Sequence, residues 1–191
     1  MNLLPHNGEA FLFADLFSKE ESDSLFLSLQ QEISWRQEPI FLFGKQIMQP
    51  RLTAWYGDPG KTYRYSGLTM HPLPWNECLI KIKNHLEQFT DKKFNSALLN
   101  QYRSGNDSMG WHRDNEKELG LEPVIASVSF GANRKFYFRN YKEKSQKIVI
   151  ELSHGSLLLM KGDTQTYWEH SLPKISLLKE SRINITFRFI Q

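Results

Sequence analysis

Hydrophobic residues recur at helical spacing in two stretches of the first half of the chain. Ser18 is followed three residues later by Glu21, the pattern of a capping box at a helix N-terminus, and apolar residues continue at helical spacing after it. This pattern predicts a first helix over residues 19–32. A second helix over 75–90 is predicted by an apolar stripe with the same spacing: Leu79, Ile82, Leu86 and Phe89.

From residue 96 onward the period changes to that of β-strands. Runs of apolar residues predict strands at 97–103, 123–130, 134–139, 147–152, 156–161 and 182–189. Helices followed by a run of strands predict an α+β protein whose strands form a sandwich or barrel, and we favour the double-stranded β-helix, a relative of the jelly roll. No linker divides the chain. We therefore expect one domain over 1–191, with the helices in about 1–95 and the jelly-roll core in about 96–191.

The composition is that of a globular protein, because 40% of the 191 residues are hydrophobic and 24% are charged. A net charge of +3 permits nucleic-acid binding without requiring it. The single cysteine, Cys78, excludes an internal disulfide and fits a reducing compartment. The N-terminus does not resemble a signal peptide, and no stretch approaches the ~20 apolar residues of a membrane helix. These features predict a cytoplasmic protein, or a nuclear one in a eukaryote.

A possible metal site is indicated by His112-Arg113-Asp114. In a strand, side chains two positions apart share a face, so His112 and Asp114 can reach one metal ion. The third ligand must come from a distant position, and spacing alone leaves both His154 and His170 open. Two histidines and a carboxylate suit Fe(II) with open coordination positions, and the lack of thiolate ligands argues against structural zinc. The short motif by itself is common and does not establish a metal site.

The last predicted strand carries a polar face suited to a dicarboxylate. Its polar members alternate with apolar residues: Arg182, Asn184, Thr186 and Arg188. A guanidinium group binds a carboxylate in bidentate fashion, but the two arginine Cα atoms would lie roughly 20 Å apart at ~3.3 Å per residue. One arginine should therefore hold the far carboxylate while the other lies nearer the metal. The alternative is a solvent-facing edge strand. Asn100 and Tyr102 also share a face and can donate hydrogen bonds to the same ligand.

Together these residues resemble the AlkB family of Fe(II)- and 2-oxoglutarate-dependent dioxygenases. The matching segments lie between about residue 40 and the C-terminus, at 99–102, 112–114, 126–131, 154–158, 170–173 and 182–188. By position in this pattern, the resemblance implies His112, Asp114 and His170 as the iron ligands and sets His154 aside. It implies six residues as 2-oxoglutarate ligands: Asn100, Tyr102, Arg182, Asn184, Thr186 and Arg188.

The resemblance is closest to the branch that repairs alkylated bases in duplex DNA. It implies a hairpin lid at Phe43, Gly44 and Lys45, where Phe43 would enter the base stack; a buried hairpin residue is the alternative for Phe43. It also implies a base-contacting segment, with an aromatic ring stacked on the flipped base at its third member: Tyr63, Arg64, Tyr65 and Ser66.

Other residues implied to meet the substrate are polar. Asn115 and Glu116 follow the iron loop, where this branch carries acidic residues, and Asn115 departs from that pattern. The departure leaves the preferred lesion open, because an amide both donates and accepts hydrogen bonds. Four basic residues are candidates for phosphate contacts, with a solvated surface position as the alternative for each: Lys45, Arg51, Lys61 and Arg64.

The activity implied by the resemblance is oxidative demethylation of N-alkylated bases in DNA, such as 1-methyladenine and 3-methylcytosine. It would consume Fe(II)-bound 2-oxoglutarate and O2 and release formaldehyde, succinate and CO2. Because the target atom lies within a base pair, the nucleotide must be extruded. The expected partner is alkylated DNA, duplex or single-stranded, bound by a monomer away from membranes. The alternatives are the same chemistry on RNA or on a protein, and a non-catalytic nucleic-acid-binding domain, against which the complete ligand set argues.

Overall fold

The structure of the protein is a computed structural model. The structure describes residues 1–42, 44–61, 63–65 and 68–191, and only the backbone of residues 41–42, 63–65 and 68–70. Phe43 and Ser66, two of the residues expected to meet the substrate, therefore lie outside the described residues. So do the side chains of Tyr63, Arg64 and Tyr65.

Three α-helices are described, α1 (Lys19–Glu32), α2 (Glu77–Thr90) and the single turn α3 (Thr164–Tyr167), together with one 3-10 turn (Lys117–Leu119). The first begins at the predicted capping box, since the Ser18 side chain accepts from the Glu21 amide and the Glu21 carboxylate accepts from the Ser18 amide. The second begins two residues later than predicted. The prediction that Phe89 is buried was wrong: it lies near the C-terminal end of α2, where its side chain is 48% exposed.

The described residues form fourteen strands: β1 (Glu9–Phe13), β2 (Pro39–Leu42), β3 (Lys45–Met48), β4 (Leu52–Gly57), β5 (Tyr63–Tyr65), β6 (Leu68–Met70), β7 (Ser96–Tyr102), β8 (Met109–His112), β9 (Ile125–Gly131), β10 (Arg134–Asn140), β11 (Lys147–Leu152), β12 (Ser156–Lys161), β13 (Trp168–Leu172) and β14 (Arg182–Arg188). The six predicted strands correspond to β7, β9, β10, β11, β12 and β14. From residue 96 onward the pattern missed β8 and β13, because each is short and has no β-branched residue.

Two antiparallel sheets make up the jelly-roll-like core. The larger has the strand order β1-β12-β9-β14-β7-β4, and the smaller has the order β11-β10-β13-β8. Two further pairs, β2–β3 and β5–β6, are separate hairpins. Because β1 and β4 join the larger sheet, that sheet draws strands from both halves of the chain.

Strand β14 separates two hydrophobic layers. It lies between β9 and β7, and all seven of its residues are buried, so the edge-strand alternative is wrong. Ile183, Ile185 and Phe187 belong to the core cluster that contains the apolar residues of α1 and α2. The strand was predicted over 182–189 but ends at Arg188, and Phe189, which follows it, is 50% exposed.

A second core cluster joins the other face of the larger sheet to the smaller sheet. It contains residues of both sheets, among them Tyr102, Phe138, Leu158 and Trp168. The polar residues of β14 therefore point toward the space between the two sheets. In the part of the chain that the structure describes, no helix has the length and apolar character needed to cross a membrane.

Candidate active site

His112 and His170 are brought together by the pairing of two strands. They are register partners in the antiparallel pair of β8 and β13, and their ring centroids lie 4.2 Å apart. The Nδ1 atom of His112 lies 2.9 Å from the carbonyl oxygen of Gly110. Because a carbonyl only accepts, Nδ1 carries the proton and the lone pair of Nε2 is available to a metal.

Asp114 reaches the histidines from a loop. Strand β8 ends at His112, so the expectation that Asp114 shares a strand face with it was wrong in its reason. The Asp114 amide donates to Oε1 of Gln165 at 3.0 Å, and Oδ1 of Asp114 accepts from Arg188 at 2.6 Å. One ligand atom from each of His112, Asp114 and His170 nevertheless lies within 4.8 Å of the others.

The charge states of these groups suit Fe(II). Burial, together with the neighbouring His112, lowers the pKa of His170 to about 3, so its imidazole is neutral at pH 7. Burial, the largest single effect, opposes ionisation of Asp114, but Arg188, His170 and His112 together outweigh it and the pKa of Asp114 is lowered. The Nδ1 atom of His170 is buried and has no hydrogen-bond partner among the described residues. Two imidazoles and a carboxylate, with Nδ1 of His170 unsatisfied, form a ligand set that Fe(II) prefers.

His154, the other candidate for the third ligand, has a structural role. Its Nδ1 accepts from the Gly131 amide at 2.8 Å, and its Nε2 lies 3.1 Å from Oδ1 of Asp23 in α1. The side chain therefore fastens α1 to the larger sheet. It is not part of the group formed by His112, Asp114 and His170.

One cavity between the two sheets contains the three candidate metal ligands. All six residues expected to bind 2-oxoglutarate also line it. The remaining lining residues are mostly apolar, and the whole set is Leu98, Asn100, Tyr102, Met109, His112, Asp114, Ser127, Phe136, Met160, His170, Leu172, Arg182, Asn184, Thr186 and Arg188. The sequence pattern therefore selected residues that the fold brings to one place.

The two arginines of β14 lie at different ends of this cavity. Arg188 is paired with Asp114, at the metal end. Arg182 donates to Oγ of Ser129 at 2.8 Å, and its Cζ lies 5.4 Å from the centre of the Tyr102 ring. Burial lowers the pKa of Arg182 to about 10, so the guanidinium is still charged at pH 7. No carboxylate of the described residues forms an ion pair with it, which makes it the cation suited to an incoming acid.

The two asparagines of the cavity are held by protein neighbours. Arg51 donates to Oδ1 of Asn100 at 2.7 Å. The prediction of a phosphate contact for Arg51 was wrong, because the side chain is buried beside Asn100. The Nδ2 atom of Asn184 donates to Oγ of Ser127 at 2.7 Å and to the Val128 carbonyl at 3.0 Å.

Several residues of the site were not predicted. Ser127 and Ser129 alternate along β9, and the period-two argument applied to β14 could have identified them. Arg51 and Gln165 gave no such signal, because each reaches the site from an element distant in sequence. Of the residues expected to meet the substrate, Gly44, Lys45 and Asn115 are exposed and Glu116 is half-buried, and these four do not line the cavity.

Comparison with known proteins identifies the family of the chain. The family model of the 2OG-Fe(II) oxygenase superfamily matches residues 9–188. The chain is 42% identical over 187 residues to the alpha-ketoglutarate-dependent dioxygenase alkB homolog 3 of Bos taurus, covering 93% of this chain and 64% of that protein. It is 43% identical over 185 residues to the DNA oxidative demethylase ALKBH2 of Homo sapiens, covering 92% and 71% respectively. The chain thus spans about two thirds of the length of these relatives.

A solved structure named "The structure of OsALKBH1" superposes with a TM-score of 0.65, covering 94% of this chain and 97% of that one. At 18% identity this likeness concerns the fold alone. The fold is a jelly-roll-like pair of antiparallel sheets, and the site between them carries a ligand set suited to Fe(II). The chain belongs to the 2OG-Fe(II) oxygenase superfamily and, within it, to the AlkB family.

Proposed function

We propose that this protein removes alkyl groups from nucleobases in DNA by oxidation, using Fe(II), 2-oxoglutarate and O2. The observation that carries the proposal is the single cavity lined by His112, Asp114 and His170 together with the polar face of β14. The name of the ALKBH2 relative supports DNA as the substrate. When bound, iron with 2-oxoglutarate and O2 would supply the oxidation of the N-alkyl carbon. For a methylated base, the oxidised carbon would then be released as formaldehyde and the unmethylated base would remain.

The protein's part in this reaction is to bind and orient. His112 would offer Nε2 to the metal because its Nδ1 is occupied by Gly110. Asp114 would offer the carboxylate oxygen that Arg188 does not hold. The apolar side chains of Leu98, Phe136 and Leu172 exclude water from the reacting atoms.

The 2-oxoglutarate ligands divide by position. Arg182 would bind the far carboxylate, with Ser129 and Tyr102 beside it. Asn100 would donate through Nδ2, because its carbonyl oxygen already accepts from Arg51. Asn184 uses both of its amide protons within the protein, and Oγ1 of Thr186 donates to Oδ1 of Asn184. These two residues would therefore contribute by holding the β9–β14 face in place.

Substrate recognition would come from the segments before β7. In this proposal the β2–β3 hairpin, with Gly44 and Lys45 at its turn, acts as a lid within a single domain. Phe43 would enter the base stack and Tyr65 would stack on the flipped base. Asn115 and Glu116 follow Asp114 and would meet the exocyclic group of the base. Such an enzyme would work in the compartment that contains the DNA.

The experiment that tests this function is a panel of methylated oligonucleotides assayed for formaldehyde with Fe(II) and 2-oxoglutarate. We expect release from 1-methyladenine and 3-methylcytosine in DNA, none in His112→Ala, and wild-type release in His154→Ala, whose histidine is structural. Formaldehyde release only from methylated RNA or from a methylated protein would contradict DNA as the substrate. Full turnover in His112→Ala would contradict the metal assignment.

The wedge proposed for Phe43 has its own test. Phe43→Ala should slow repair of duplex DNA at least tenfold, because nothing then fills the gap left by the extruded base, while single-stranded repair should change little. Met48→Ala, which alters an exposed residue on the same hairpin, is the matched control. An equal loss of repair rate on duplex and single-stranded DNA in Phe43→Ala would contradict the wedge role.

A further inference from the structure

The three candidate metal ligands are not held in place in the same way. His112 and His170 are register partners in the β8–β13 pair, so the sheet fixes their main chains. Asp114 lies two residues beyond the end of β8, outside that pairing. Contacts from other elements must therefore fix its main chain, since a loop lacks the regular hydrogen bonds of a sheet.

Gln165 provides such a contact. Its Oε1 atom accepts from the Asp114 amide at 3.0 Å, and the side chain is 2% exposed. The amide orientation follows from chemistry: a main-chain N–H only donates, so the oxygen of Gln165 must face Asp114. The Nε2 atom of Gln165 donates to Sδ of Met160 at 3.6 Å, and this sulfur is a weak acceptor.

The turn that carries Gln165 is itself fixed to the larger sheet. Oγ1 of Thr164, the first residue of α3, accepts from the Glu9 amide of β1 at 2.9 Å and lies 2.6 Å from the carbonyl oxygen of Lys161 at the end of β12. The carbonyl oxygen of Thr166 accepts from Arg113 at 3.1 Å. The α3 turn thus contacts both Arg113 and Asp114 while two strands of the larger sheet hold it.

We infer that Gln165 is a positioning residue for the iron site, which fixes the main chain of Asp114 so that its carboxylate meets the metal beside His112 and His170. Gln165 supplies the main-chain contact and Arg188 holds one carboxylate oxygen, so two hydrogen bonds set the direction of the other oxygen. Partners that orient a metal ligand commonly change metal affinity by 10- to 100-fold when they are removed.

The inference rests on the proposed role of Asp114 as a metal ligand, and the test separates the two. Apo protein is titrated with Mn2+ in the presence of 2-oxoglutarate, and the dissociation constant is measured from the electron paramagnetic resonance of free Mn2+. Gln165→Met keeps the length of the side chain and removes the acceptor, and we expect roughly tenfold weaker binding or more. Asp114→Ala should abolish binding, and its failure to do so would overturn the ligand assignment itself.

Two further variants control for shape and for stability. Gln165→Glu keeps an oxygen that accepts from the Asp114 amide, so it should bind Mn2+ at least as tightly as the wild type. Tyr56→Phe removes an acceptor from the Ser34 amide on the helix-covered face of β4 and should leave the constant unchanged. Wild-type affinity in Gln165→Met, or the same loss in Gln165→Glu, would overturn the positioning role while Asp114→Ala still identifies the ligand.

A measurement on the wild-type protein applies even where a variant fails to fold. The Asp114 amide lies outside the sheet, yet its bond to Gln165 should slow its hydrogen exchange by at least 100-fold relative to the exposed neighbour Asn115. Exchange of the two amides at the same rate would show that Gln165 does not hold Asp114 in solution.

Discussion

Arg182 and Arg188 occupy the two ends of one strand, point into one cavity and are both buried, at 2% and 6% exposure. Their surroundings nevertheless differ. Arg188 is paired with Asp114 at 2.6 Å, whereas Arg182 has a hydroxyl and an aromatic ring beside it and no carboxylate of the described residues in an ion pair. Two arginines on one face of β14 therefore have different roles, because a carboxylate, that of Asp114, lies beside Arg188 only.

The difference determines where an acid can bind. Arg188 already compensates a buried carboxylate, so its charge serves the geometry of Asp114. Arg182 has no carboxylate to offset its burial, and burial is the largest cause of the fall of its pKa to about 10. A dicarboxylate that pairs with Arg182 regains part of that cost, and this gain favours the Arg182 end as the site of the far carboxylate.

The largest effect should come from breaking the paired end. Arg188→Met leaves the Asp114 carboxylate buried without its ion pair, and we expect the free energy of unfolding of the apo protein to fall by about 3–5 kcal/mol. Urea denaturation of metal-free protein measures it. A loss below about 1 kcal/mol, the level of a surface pair, would mean that solvent reaches Asp114.

Removing the arginine at the other end of the cavity, Arg182, should not lower the free energy of unfolding. Arg182→Met removes a buried charge that has no carboxylate partner, so the apo protein should be as stable as the wild type or more stable. Its affinity for 2-oxoglutarate should fall by about 2 kcal/mol or more, a factor of roughly 30. Calorimetric titration of the Mn2+-loaded protein measures the affinity. Unchanged 2-oxoglutarate affinity would reject the assigned carboxylate site.

Sequence alone could identify these arginines but not what distinguishes them. Alternation along β14 predicts that Arg182 and Arg188 share a face, because a strand has a period of two wherever it lies. The partner of Arg188 depends on Asp114, which sits in a loop whose position is set by α3 and β14. A four-residue helix such as α3 leaves no periodic signal.

The metal ligands illustrate the same limit. The residue types at His112 and Asp114 were sufficient to indicate a metal site, while the strand argument for their shared direction was wrong. Choosing His170 over His154 required the family resemblance, since spacing along the chain does not separate them. The structure separates them physically: His170 faces the cavity, and His154 accepts from the Gly131 amide.

Of the two ends of the cavity, only the metal end contains a group, His170, whose protonation should lower stability in acid. The pKa of His170 is about 3 in the folded protein against 6.5 for the free side chain, so below pH 6.5 the unfolded chain binds a proton that the folded protein does not. Stability therefore falls as pH falls through the window from 6.5 to about 3, and this histidine alone should cost about 2 kcal/mol between pH 7 and pH 5. Arg182, with a pKa of about 10, stays charged throughout.

This pH dependence is measured by urea denaturation of apo protein at pH 7 and pH 5. His170→Asn should lose about 2 kcal/mol less than the wild type over this interval, because the titrating group is gone. Arg182→Met should show the wild-type dependence. The same loss in His170→Asn and in the wild type would assign the acid sensitivity to other groups.

The smallest effect concerns the hydroxyl beside Arg182. Ser129 accepts from the Arg182 guanidinium at 2.8 Å and helps to fix its direction. Ser129→Ala should weaken 2-oxoglutarate binding by about 1 kcal/mol, roughly fivefold, because one hydrogen bond to a charged group is lost while the charge remains. Ser156→Ala is the matched control: it alters the register partner of Ser129, whose hydroxyl donates to the Ser153 carbonyl, and should leave binding unchanged. An effect in Ser129→Ala as large as that of Arg182→Met would mean that the guanidinium depends on this hydroxyl for its position, and that its charge alone does not hold the carboxylate.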